Sequence, residues 1–164
     1  MARDKMTFEI KTNPGLERIV FTGPINEHFL GATKDIMDYP KKEVVLDLGG
    51  VTYVNSVGVR CWLEFMREFS EERKITFDRC SPEFISQVNM IPDLAMGSEI
   101  LSFFVAFFCE DCDREEKRLF LSSVGHDALA EKVNEQVCEE CGRTMSCETD
   151  SDLCIRFLKR KEAA

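Results

Sequence analysis

Two pairs of cysteines, Cys109-x-x-Cys112 and Cys138-x-x-Cys141, are the residues whose type and spacing point most directly to chemistry. A CxxC turn aims two sulfurs at one point, and two such turns supply four thiolates to a tetrahedral metal at a Zn–S distance of roughly 2.3 Å. Gly142, directly after the second pair, gives the backbone the freedom to direct amide groups at the sulfurs. Four thiolates leave no position for water or substrate, so the expected role is a structural Zn2+; iron suits the same sulfur set and stays open as the rival metal. Cys147 and Cys154 belong to neither turn but lie close enough in sequence to substitute as ligands, whereas Cys61 and Cys80 read as small buried hydrophobes.

A second polar island interrupts an apolar stretch in "LDLGGVTYVNSVGVRCWLEF", Leu46 to Phe65. Ser56 sits where a helix cap belongs, and a hydroxyl at such a turn raises the question of a chemical switch as well as a cap. His28 and His126 are the only histidines, and neither stands beside a serine or cysteine nucleophile in the chain. No GxxxxGK[ST] and no HExxH occurs, so the expectation is a protein that is not an enzyme.

The elements that must position these residues follow from periodicity. "MTFEIKT" and "LERIVFTG", separated by Asn13-Pro14-Gly15, read as two strands joined by a turn. "NEHFLGATKDIMDYP" spaces Phe29, Ala32 and Ile36 as a helix that Pro40 ends, and "EVVLDL" is a continuous apolar strand suited to burial on both faces. Trp62, Phe65, Met66 and Phe69 then predict a helix from Val57, "KITF" a strand, and Ser81-Pro82 the capped start of a helix that stops at Pro92. "EILSFFVAFFC" is expected to be one long strand. Beyond it, "CEDCDREEKRLFLSSV" predicts a hairpin with the first cysteine pair at its tip, "HDALAEKVNEQ" a short helix, and "VCEECGRTMSCETDSDLCIRFLKR" a second cysteine turn ending in a strand.

The chain has 164 residues with 44% hydrophobic and 31% charged side chains, a profile of a folded, water-soluble protein. The opening "MARDKMTFEI" has no signal-like apolar run, and "ILSFFVAFFC" is half the length that spans a bilayer, so no membrane insertion is expected. Eight cysteines without an export signal fit a reducing, cytoplasmic setting. The net charge of -9 is shared by both halves, and residues 107–164 carry 9 basic against 14 acidic side chains. That balance argues against a nucleic-acid partner; the one basic cluster, Arg156, Lys159, Arg160 and Lys161, reads as a solvated end.

The order β-β-α-β-α-β-α-β together with "VVLDLGGVTYVNSVGVRCWLEF" resembles the STAS domain, the fold of bacterial anti-sigma-factor antagonists and of related sulfate-transporter and lipid-transport modules. That family shows a strand ending in Asp-Leu, an apolar spacer, then Asp-Ser-x-Gly opening a helix; here Asp47-Leu48 and Asn55-Ser56-Val57-Gly58 take those places. The resemblance covers about Phe8 to Phe108. It implies an α/β fold, a mixed sheet with helices packed against it, over residues 1–108; the cysteine half, 109–164, is not part of the usual family domain and reads from its CxxC pairs as a small zinc-ribbon β subdomain appended to or inserted after it. The resemblance further implies a regulatory or adaptor role in bacterial signalling, with Ser56 as phospho-acceptor and Asn55, Ser56, Val57, Gly58 and Arg60 facing a protein partner, a serine kinase that is also an anti-sigma factor. Asn55 departs from the family's Asp, removing a negative charge beside the hydroxyl. A subunit of a transport complex, and a zinc-ribbon module associated with nucleic acid or transcription, are the alternatives.

Overall fold

The computed structural model describes residues 5–14 and 16–158. Gly15 of the expected first turn and the tail cations Lys159, Arg160 and Lys161 lie outside the described residues. Strands β1 (Thr7–Asn13) and β2 (Leu16–Ile25) form the antiparallel edge of a five-stranded mixed sheet, continued in parallel by β3 (Glu43–Val54), β4 (Lys74–Asp78) and β5 (Glu99–Ile100). Helices α1 (Phe29–Ala32), α2 (Ser56–Phe69) and α3 (Pro82–Met90) connect the parallel strands. This is the mixed α/β architecture expected.

The registers explain which face the helices cover. Ile19, Leu46 and Phe77 stand side by side across β2, β3 and β4, and all three are fully buried. Aromatic rings from the helices close on this face: Trp62 lies 5.8 Å from Phe77 and 5.2 Å from Phe84, and Phe65 meets Phe21 edge-on at 6.2 Å. Such pairs contribute beyond their buried area because ring edges and faces carry opposite partial charge. The Trp62 indole N–H donates to the Leu94 carbonyl at 2.8 Å, so the largest side chain of the core is satisfied as well as buried.

The opposite face carries a polar ladder. Arg18 of β2 reaches Asp78 at 2.8 Å and Asp47 at 3.5 Å, which lets β3 bury Asp47 among apolar neighbours, since a charge leaves water only with a partner. Central β3 is thus buried on both sides from Val44 to Leu48, as its composition implies. It does not end at Asp47-Leu48, however, but runs through both glycines to Val54, with irregular pairing to β2 along the way.

Three further expectations differ from the structure. The helix after Asn26 is short: Thr33 turns its hydroxyl onto the Phe29 carbonyl at 2.9 Å, and a 3-10 turn over Lys34–Ile36 follows α1. "EILSFFVAFFC" is two strands. Arg79 adopts a left-handed φ of 52° at the end of β4, and β5 pairs for two residues only. Past Leu101 the chain leaves the first sheet, held at the corner by the Ser102 hydroxyl on Asp78, and β6 (Ser102–Cys109) becomes the middle strand of a second, antiparallel sheet with β7 (Arg114–Leu121) and β8 (Ser146–Cys147). The change of sheet therefore precedes residue 108, and Phe103 and Phe107 join the common core. Lastly, the C-terminal segment is no strand: Asp150 caps a short helix α5 (Ser151–Cys154), followed by a turn whose Phe157 packs edge-on against Phe103 at 4.9 Å. Helix α4 (His126–Asn134) forms where expected, burying Leu129 and Val133.

Candidate partner-binding turn and metal centre

The turn between β3 and α2 is built by Asn55. Its backbone is extended, φ -97° and ψ 176°, and its side-chain Oδ1 accepts from the Gly58 N–H at 2.7 Å, satisfying a donor that the first turn of every helix leaves orphaned. Asn55 is therefore the cap and Ser56 is the first helical residue, which corrects the assignment of the cap to Ser56. The amide nitrogen of Asn55 donates to Glu27 at 3.2 Å, which holds a carboxylate at this corner. Ser56 is exposed, and its hydroxyl has no hydrogen-bond partner among the described residues.

The remaining candidates divide by burial. Val57 and Arg60 are exposed, Val57 at 49%, and Tyr53 at the end of β3 is 45% exposed beside them. Gly58 is buried, and its role is packing: a Cβ there would lie 1.8 Å from the Ile25 carbonyl oxygen. That carbonyl also accepts from the Asn55 N–H at 3.2 Å, so α2 starts in direct backbone contact with the end of β2.

The second sheet gathers the cysteines. Cys109 ends β6 and Cys112 lies in the β6–β7 turn; Cys138 and Cys141 occupy a turn closed by a single bridge between Val137 and Thr144. The four sulfurs lie within 4.8 Å of one another, with Cys109–Cys141 at 3.5 Å and Cys112–Cys138 at 3.9 Å. A sulfur tetrahedron around a metal at about 2.3 Å has edges of about 3.8 Å, so the set is already near coordinating geometry. The backbone is arranged to match: amide N–H groups of Cys141 and Glu140 hold the Cys138 thiol down to about 7, and Gly142 takes the left-handed φ of 73° that closes the turn. Cys112 is pushed up to about 12, chiefly by its hydrogen bond with Cys141, as expected when several thiols share one point. These residues fit a metal, and Cys61 and Cys80 take no part, being buried elsewhere.

The two cysteine turns share a sequence pattern beyond their sulfurs. The two turns are "CEDCDR" and "CEECGR", alike in their acidic third residue and their closing arginine. In space they cross-pair: Arg114 of the first binds Glu140 of the second at 2.9 Å, and Arg143 of the second binds Asp111 of the first at 3.1 Å. Each turn thereby clamps the other. Cys147 and Cys154 stand apart from the cluster, and the Thr149 hydroxyl lies 3.0 Å from the Cys154 sulfur. His28 meets Glu27 and His126 meets Asp127, both at the surface, so neither addresses a thiol or Ser56. No described helix is long and apolar enough to cross a membrane.

The chain matches no protein-family profile and no curated protein. Among solved structures it is similar to the crystal structure of an anti-sigma factor antagonist from Mycobacterium paratuberculosis, with 16% identity over 59% of this chain and 86% of that chain and a TM-score of 0.48. A likeness of that extent says nothing about partner or chemistry, which rest on the residues themselves.

Proposed function

We propose that this chain is a non-enzymatic regulatory adaptor of bacterial signalling, of the anti-sigma-factor-antagonist kind, which docks a protein partner through the β3–α2 turn and is switched by phosphorylation of Ser56. The observation that carries the reading is the free, exposed hydroxyl of Ser56 at the first position of a 14-residue helix already capped by Asn55. Serine here is not consumed by capping. Tyr53 and Val57 offer exposed apolar surface on either side of it, and Arg60 follows one turn along α2. A phosphate would bring a charge of about -1.5 to -2 to a helix start that tolerates anions, and would turn an apolar docking patch into a strongly negative one. Glu27, held against Asn55, adds to that repulsion.

Within the same reading Cys109, Cys112, Cys138 and Cys141 hold one structural zinc ion, with no role in a reaction. The ion would close the second sheet around its two clamped turns, a stabilising part that a closed four-sulfur shell suits.

Mass spectrometry of the chain recovered from its own cells tests the switch. Trypsin releases Glu43–Arg60, in which Thr52, Tyr53 and Ser56 are the hydroxyl-bearing residues. The expected result is phosphate on Ser56, together with a partner that co-purifies with the wild type and is lost from Ser56→Asp. A peptide without phosphate under every growth condition, or a partner indifferent to Ser56→Asp, would refute the switch. A transporter subunit as the retained partner would favour the transport-complex reading instead.

A further inference from the structure

The free edge of the first sheet carries an inference separate from the β3–α2 turn. Among the described residues β1 pairs with β2 alone, through seven consecutive opposite pairs from Thr7 and Thr22 to Asn13 and Leu16, with no bulge. Its outer side therefore presents every second backbone N–H and C=O unpaired, along a regular strand without proline, which is a template for adding another strand. The far edge of the same sheet, β5, offers only two residues. The side chains of β1 are little engaged within the chain. Ile10 stands opposite the buried Ile19 but is itself 41% exposed. Glu9 and Lys11 are exposed, and neither has an ion pair among the described residues; Lys11 even faces a like charge, Arg18, across the ladder. Charges on an edge strand ordinarily deter pairing, but on β1 their order removes the deterrent in one register.

We propose that β1 is the interface of a symmetric homodimer, in which two copies of this chain pair antiparallel about a two-fold axis at Ile10 and join their sheets edge to edge. Opposite residues of an antiparallel pair exchange both backbone bonds or neither, so residues that face each other across the axis must both point outward or both inward. The axis is thereby restricted to a residue that meets its own copy. At Ile10, the midpoint of β1, every residue of the strand finds a partner: Ile10 meets Ile10, Glu9 meets Lys11 twice by symmetry, Phe8 meets Thr12 and Thr7 meets Asn13. Moving the axis by one residue sets Glu9 against Glu9 or Lys11 against Lys11. Opposite charges directly across a ladder stabilise it and like charges destabilise it, so charge and strand length select the same register. In that register the two Ile10 side chains, on the helix-covered face with Ile19, also cover each other's exposed apolar surface. Strand β7 has eight residues, but each of its registers that brings opposite charges together also sets a charge against its own copy.

Charge reversal reads the register directly. Analytical ultracentrifugation of the full chain in reducing buffer, from micromolar to millimolar concentration, should show a monomer–dimer equilibrium. Seven residues a side, against the roughly 20–30 of a standard interface, make the dimer weak and reversible. Glu9→Lys and Lys11→Glu should each weaken it about thirtyfold at low salt, because both symmetry-related pairs turn from attraction to repulsion. The double variant Glu9→Lys, Lys11→Glu restores opposite charges at both pairs and should dimerise as the wild type does. High salt should narrow the difference between the single variants and the wild type, since the pairs are exposed and screened. Both side chains lie at the surface, so the fold should be retained, and unchanged fluorescence of the buried Trp62 checks it. A wild type that stays monomeric over the whole range, single variants that dimerise as tightly as the wild type, or a double variant as weak as the single ones would overturn the proposal.

Discussion

Replacing Gly58 by alanine sets two well-understood effects against each other. In an exposed helix the change stabilises by up to about 1 kcal/mol, because glycine loses more backbone freedom on folding. Here the new Cβ would sit 1.8 Å from the Ile25 carbonyl oxygen, 2.4 Å from its carbon and 2.9 Å from the Asn26 nitrogen, all backbone atoms without a rotamer to escape into. Ordinary contact requires α2 to back away by roughly 1.5 Å, and Trp62, Phe65 and Phe69 of the same helix are fully packed. The cap is strained by the same movement, since the Asn55 N–H bonds to that very carbonyl. Overpacking against backbone wins, and the expected net loss is about 2–4 kcal/mol. For a chain of this size that is a fall in Tm of roughly 5–15 °C. Urea unfolding followed by the fluorescence of Trp62, the only tryptophan, measures it directly, with an unchanged slope expected. Gly31→Ala is the control: nothing lies within 4 Å of its Cβ position, so it should be neutral or slightly stabilising. A Gly58→Ala variant as stable as the wild type would refute the close contact of α2 with β2.

Asn55→Ala should cost about 1 kcal/mol by removing the helix cap, whereas Ser56→Ala should stay within about 0.5 kcal/mol; chemical denaturation of both variants checks this, and a larger loss for Ser56 would return the cap to it. Burial, and then the hydrogen bond to Glu17 at 2.5 Å, push Tyr39 up to about 12. The fold favours its neutral form, so the stability this confers is complete below about pH 10 and is lost as pH rises toward 12; ultraviolet titration should find a late phenol that Tyr39→Phe removes. Glu17 is lowered in turn by Tyr39, and its contribution is present above the ordinary carboxylate range and lost as pH falls through the depressed value; the acid limb of the unfolding profile should soften in the same Tyr39→Phe variant. Elemental analysis should return one zinc per chain, and cobalt substitution should produce a thiolate charge-transfer band that Cys138→Ser abolishes; a chain purified without chelators that carries no metal would refute a metal site at the four cysteines.

What the sequence by itself determined are the features set by near neighbours along the chain. Helical spacing placed Trp62, Phe65 and Phe69 on one face of α2, Ser81-Pro82 marked the start of α3, and two CxxC turns announced a four-sulfur centre before any fold was known. These signals are local because caps, turns and amphipathic stripes act within a few residues. Tertiary structure alone decided where β5 stops and β6 begins: the stretch from Ile100 to Cys109 is apolar but for Ser102, and that serine marks a corner only because Asp78 and Arg79 of another segment meet its hydroxyl. It likewise decided that Arg18 pairs with Asp47 and Asp78, that Arg114 and Arg143 each bind the opposite cysteine turn, and that Cys147 and Cys154 stay outside the four-sulfur cluster. Each of those pairings depends on how separate strands and turns are set against one another, and that is settled by the packing of the shared core.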